Sequence, residues 1–250
     1  MTSFVKTKLP TFSVLMKIFT IVSFLVGCEY PIDSNKKIYR ENGNLLQTKN
    51  YKDGRISRVE LYRENGTLKQ TESYTGGRLS RTEFYLENGI LEQIDNFKNG
   101  VLLSVEFYDG NGTLDQLNEY KEGILHGAKL YREDGTVKQV KHFSDGTLSK
   151  IQFYHQDGAL EQIEDYKGGT LFEVQYYHKN KTLKQIQNFE DGAMSTVRFY
   201  NNNGELRQID NFKNGTKAEV KLYNEDGTLN QIRIFQDGEY KYSTTLEAPN

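Results

Sequence analysis

Between Ile38 and Thr244 the succession of apolar and polar positions repeats every 23 residues, nine times over, without insertion or deletion. Copies begin at residues 38, 61, 84, 107, 130, 153, 176, 199 and 222; the first reads IYRENGNLLQTKNYKDGRISRVE and the fifth LYREDGTVKQVKHFSDGTLSKIQ. Position 2 of the unit is always Tyr, position 14 always Tyr or Phe, and position 17 always Gly. Position 5 is Asn or Asp in every copy and Gly follows it in all but one, where Lys181 stands. Asn-Gly or Asp-Gly between alternating apolar residues marks a hairpin, and each unit holds two such turns. The chain is therefore predicted to be all-β, an elongated antiparallel meander of roughly 18 short strands, each contributing about 4.8 Å to a length near 85 Å. Glycines recurring every 11 or 12 residues exclude helices.

The two turns differ in span. Tyr62 and Leu68 lie six apart across the first, Tyr74 and Leu79 five apart across the second. If each pair faces across its hairpin, the first needs a three-residue loop with a left-handed glycine and the second a two-residue primed turn. Uninterrupted strands would then set positions 2, 8, 14 and 19 on one face, with an invariant Gln at position 10 and acids such as Glu72, Asp95 and Glu164 between them. The other face would pair positions 11 and 22, as in Ile94 with Val105, Ile163 with Val174 and Ile186 with Val197, flanked by Phe84, Phe107, Phe153 and Phe199. No unit covers its own apolar stripe, so stability must come from stacking neighbours. Lys217, Tyr240 and Ser243 break the apolar pattern of the last two units, as a solvent-facing end cap would.

Composition agrees with thin aromatic strands: 36% hydrophobic residues, 17 Tyr, 14 Phe, 22 Gly and no Trp. The net charge is -2, and the three bases ahead of Cys28 are Lys6, Lys8 and Lys17. Setting those aside from 32 leaves 29 bases against 34 acids, which disfavours a nucleic-acid partner. The single cysteine excludes an internal disulfide and a multi-thiolate metal site.

That cysteine ends an address. Ile18 to Val26 form an apolar run behind Lys17, short for a membrane span and right for a signal-peptide core. Leu25-Val26-Gly27-Cys28 resembles a bacterial lipobox, in which the cysteine is acylated and becomes the first mature residue. The expected organisation is a signal peptide over 1–27, acylated Cys28 and a tether over 28–37, repeats over 38–244 and a tail over 245–250. Translation starts at Met1 or Met16. The lipid on Cys28 would hold an exported protein to the membrane of the bacterial envelope, with the outer membrane or cell surface open because Glu29 rather than Asp follows the cysteine.

The units resemble the MORN-repeat variant of bacterial exported repeat proteins and YwqK-type antitoxins, on Tyr-x-x-x-Asn-Gly-x-Leu followed by Tyr-x-x-Gly-x-Leu. Only Gly123-Ile124-Leu125-His126-Gly127 keeps the Gly-x-x-His-Gly tail common in that family. The resemblance implies hairpin arrays that bind proteins or membranes, and it carries over no catalytic residue.

Candidate chemistry is sparse. There is no Gly-x-Ser-x-Gly elbow and no phosphate-cradling glycine loop followed by Lys, so no enzyme, cofactor or metal is expected. His155 and His178 share position 3 two strands apart, near 9.6 Å, and read as solvated surface groups. The ladder Gln47, Gln70, Gln93, Gln116, Gln139, Gln162, Gln185, Gln208 and Gln231 is the candidate binding feature. It reads either as a polar track for an extended glycan or peptide, or as a cover for the sheet in which Gln70, for instance, bonds Glu83. Three functions follow: a scaffold binding a protein or polymer, an antitoxin acting by occlusion, and a passive spacer or adhesin stalk.

Overall fold

The computed structural model describes residues 33–246; the expected signal peptide over 1–27 and Cys28 lie outside the described residues. Nineteen strands run from β1 (Ser34–Tyr39), β2 (Leu45–Lys52), β3 (Arg55–Tyr62) and β4 (Leu68–Thr75) through to β18 (Leu229–Gln236) and β19 (Glu239–Thr245). Each pairs antiparallel with the strands before and after it, so that β1 and β19 are the two edges among the described residues. The sheet is one layer, and no strand packs against any but its sequence neighbours. The additional strand over the expected number is β1, which begins at Ser34, ahead of the first repeat.

Both turn types form as the spacing predicts. In the longer one the Arg40 N–H donates to Asn44 O (2.8 Å) and the Gly43 N–H to Arg40 O (3.0 Å), with Gly43 at φ 83°. The Asn42 side chain accepts the Asn44 N–H at 3.0 Å, and the same bond recurs from Asn65, Asn88, Asp134, Asp157, Asn180, Asn203 and Asp226. This bond explains why position 5 is restricted to Asn and Asp. In the shorter turn Asp53 (φ 50°) and Gly54 (φ 70°) are both left-handed, as a type I′ turn demands. Eight-residue strands joined alternately by two and by five residues account for the 23-residue period.

The register differs from the expected one by a single residue. Every ladder carries a bulge beside its hairpin: Tyr51 opposes Ile56 but Asn50 opposes Arg58, leaving Ser57 unpaired, and Tyr62 opposes Leu68 while Leu61 opposes Gln70, leaving Lys69 unpaired. A bulge shifts all pairing beyond it by one, and a one-residue shift exchanges the faces of a strand. Position 22 therefore opposes position 12 on both sides, as Val105 opposes Asp95 and Asn118, and Ile94 opposes Glu83 and Glu106 instead of Val105. The expected grouping of positions 2, 8, 14 and 19 does not hold. One face carries positions 10, 12, 14, 19, 22 and 1, here called the glutamine face; the other carries 11, 13, 21, 23 and 2.

Burial follows from this arrangement. The middle row of the glutamine face places position 22 between two position-12 side chains, and Val59, Val105, Ala128, Ile151, Val174, Val197 and Val220 are 2% to 7% exposed. On the opposite face Thr48, Thr71 and Ile94 at position 11 are as deeply covered. The core is thus two narrow central rows, one on each side of a single sheet, each roofed by the longer side chains of flanking rows.

Candidate binding surface

The glutamine ladder lies in one row of its face, alternating with position 1: Leu61, Gln70, Phe84, Gln93 and Phe107 are successive cross-strand partners. The expected bond from Gln70 to Glu83 is absent, because the bulges place them on opposite faces. Glu83 instead accepts from Thr71 at 2.8 Å. Five glutamines donate along their own strand to position 12: Gln70 to Glu72 (2.9 Å), Gln93 to Asp95 (2.6 Å), Gln116 to Asn118 (2.6 Å), Gln162 to Glu164 (2.8 Å) and Gln208 to Asp210. Gln231 reverses the sense and accepts from Arg233. Gln47 and Gln139 have Lys49 and Lys141 at that place, which carry no acceptor, and Gln185 has Gln187.

Position 14 completes the arrangement. Where position 12 is Glu, position 14 is Tyr, and the Tyr74 and Tyr166 hydroxyls donate to the second carboxylate oxygens of Glu72 (2.5 Å) and Glu164 (2.6 Å). Burial and the neighbouring carboxylates push both phenols well above their ordinary range. Where position 12 is the shorter Asp, in Asp95 and Asp210, position 14 is Phe97 or Phe212. Burial raises the Asp95 carboxyl, which the Gln93 bond only partly offsets. Asp210, 3% exposed, has Lys217 Nζ at 2.7 Å. Lys217 is therefore the counter-charge of a buried acid, not a solvent-facing cap as the sequence reading had it.

The opposite face repeats the device. Tyr62, Tyr85 and Tyr108 at position 2 donate to Glu60, Glu83 and Glu106 two residues earlier. Burial and the Glu106 contact push the Tyr108 phenol up to about 12. Most charges near the middle of either face are thus already engaged within the sheet.

The rims hold what the sequence reading missed. Arg40, Arg63 and Arg132 at position 3 bond their own hairpin and cross to the next unit, reaching the carbonyls of Tyr62, Tyr85 and Tyr154. His178 occupies the same place but is not the solvated group expected, since its Nε2 is shut off from water and has no hydrogen-bond partner. At the opposite rim Val101, Leu103, Ile124 and Phe172 are 41% to 50% exposed, at positions 18 and 20 where other units have mainly Ser, Thr or Arg. No three His, Cys, Asp or Glu side chains gather as a metal site among the described residues.

Three segments, residues 34–53, 81–99 and 196–214, match the family model described as the MORN repeat variant. At these three places the chain carries a repeat of this MORN type. Each matched segment holds one five-residue-turn hairpin and stops at the first residue of the following two-residue turn. No curated protein sequence matches. Among solved structures there is similarity to the accessory secretory protein 1, 2 and 3 structure of Streptococcus pneumoniae, at 19% identity and a TM-score of 0.31, over 38% of this chain and 18% of that one. A GtfA/B complex gives 19% identity and a TM-score of 0.27 over the same shares. A porin-like protein from Bacteroides uniformis gives 11% identity and a TM-score of 0.24, over 84% of this chain and 92% of that one. The repeat chain thus spans less than a fifth of the first two, and likeness this weak bears on neither function nor partner.

Proposed function

We propose that this MORN-repeat chain is an exported scaffold of the bacterial cell envelope, held to the membrane by lipid on Cys28, whose sheet engages a protein or polymer partner without catalysis. The observation that carries the binding reading is the single-layer sheet, on which no second layer packs among the described residues. It is supported by the exposed apolar side chains Val101, Leu103 and Ile124 along one rim of units 3 and 4, since a cluster of this kind on a polar sheet fits a partner contact. The lipid anchor rests on the Leu25-Val26-Gly27-Cys28 sequence.

A passive spacer is the second reading, and one observation favours it. Five of the nine ladder glutamines already donate to their own strand, so the ladder is a set of internal clips instead of an open amide track.

Fractionation and capture separate these readings. Wild-type chain is expected in the membrane fraction and a Cys28→Ser variant in the soluble one; an unchanged distribution would refute the anchor. Cross-linking in cells is expected to trap a defined partner that a V101S/L103S/I124S variant loses. A wild-type chain that traps nothing would leave the spacer.

A further inference from the structure

Position 3 decides how the rim between neighbouring units is filled. Arg40, Arg63 and Arg132 span the gap and seal it with bonds to carbonyls of two units. Unit 7 has His178 there, and the shorter imidazole seals nothing: its Nε2 is unpartnered, and a cleft of about 380 Å³ opens beside it toward unit 8. Lys184, Gln185, Asn201 and Arg207 share this cleft, and no carboxylate lines it.

Its charge is unusual for this chain. Lys184 and Arg207 are both the bulged residue at position 9 of their units, so the register brings two cations to one rim cleft. Neither forms a salt bridge among the described residues. The Arg207 guanidinium lies over the Phe199 ring, 5.7 Å from its centroid. The corresponding cleft between units 4 and 5, about 550 Å³, opens where position 3 is Asp109, and Asp115, Glu133 and Asp134 line it together with Arg132 and Lys138. The cleft there thus mixes acids with cations, whereas the one at units 7 and 8 carries cations alone.

The geometry points to an oxyanion site in the cleft between units 7 and 8, of the phosphate class, formed by Arg207, Lys184 and the amides of Gln185 and Asn201. A guanidinium fork together with an ammonium point charge suits a group with more than two acceptor oxygens. His178 lines the same cleft, with its Nε2 unpartnered. The site depends neither on Cys28 nor on which surface holds a macromolecular partner.

Phosphorus NMR on the full chain in mild detergent tests it, with inorganic phosphate and with dihexanoyl phosphatidylglycerol as a lipid-borne phosphate. Inorganic phosphate is expected to broaden saturably and to shift the His178 ring resonances. Lys184→Gln and Arg207→Gln are each expected to weaken binding about tenfold. His178→Arg restores the residue that seals three other rims, so it is expected to abolish binding although it adds positive charge. A stronger response to the short-chain lipid supports the site and assigns its phosphate to a headgroup. No saturable response to either probe, or equal broadening with His178→Arg, would overturn the inference.

Discussion

Glutamine, acid and aromatic at positions 10, 12 and 14 form a local unit whose members match one another in size. Glu reaches both the amide two residues before it and the phenol two residues after it, and Tyr accompanies Glu72 and Glu164 while Phe accompanies Asp95 and Asp210. Asp210 is compensated by Lys217, and Asp95 has no cation within salt-bridge reach among the described residues. Burial holds the folded Asp95 carboxyl above its unfolded value, so the folded state binds that proton more readily. Its contribution to stability is present below the ordinary aspartate range and is lost as pH rises through the raised value. Asp95→Asn is therefore expected to raise the urea midpoint near pH 7 and to leave it unchanged near pH 3, where the aspartate is already protonated. A variant less stable at both values would contradict this. Lys181 stands at φ 69° where the other units have glycine. Lys181→Gly is expected to stabilise the protein by about 1 kcal/mol in urea unfolding, the strain a side chain carries in that region.

The hairpins show which parts of the structure were legible in the sequence. Turn types were legible because they rest on local chemistry: Gly43 and the Asp53-Gly54 pair must adopt left-handed conformations, and only certain residues do so readily. Strand number and repeat length followed from the same glycines. The faces were not legible, because a bulge leaves no fixed residue type behind. Its extra residue is Ser57, Ser80, Ser149 or Ser195 in four units but Leu103, His126 or Phe172 in others. A weak signal existed: each of those serines bonds the carbonyl of position 13 across the hairpin, at 3.0 to 3.2 Å. The acids at position 12 also misled, since buried charges beside valine are expected only where hydrogen bonds receive them, and those bonds come from the glutamine ladder itself. The Gln70 partner was misassigned by one bulge.

Because every strand contacts only its neighbours, the protein gains stability unit by unit along one dimension. Removing residues 153–175, one whole unit, joins position 23 to position 1 and preserves every ladder type. That variant is expected to keep its β-sheet circular dichroism per residue, with a lower thermal midpoint. Removing residues 153–164 joins position 23 to position 13 and is expected to abolish cooperative unfolding; a cooperative transition in this second variant would contradict the two-strand unit. The open edges are polar, with Lys36 and Lys37 on β1 and Lys241 on β19, which blunts edge-to-edge growth. The whole arrangement depends on the paired bulges, and nuclear Overhauser contacts across β-strands measure them directly. Val105 is expected to show cross-strand contacts with Asp95 and Asn118. Contacts from Val105 to Ile94 in their place would mean that the strands run unbulged, and that the faces, the buried carboxylates and the glutamine clips have all been misassigned.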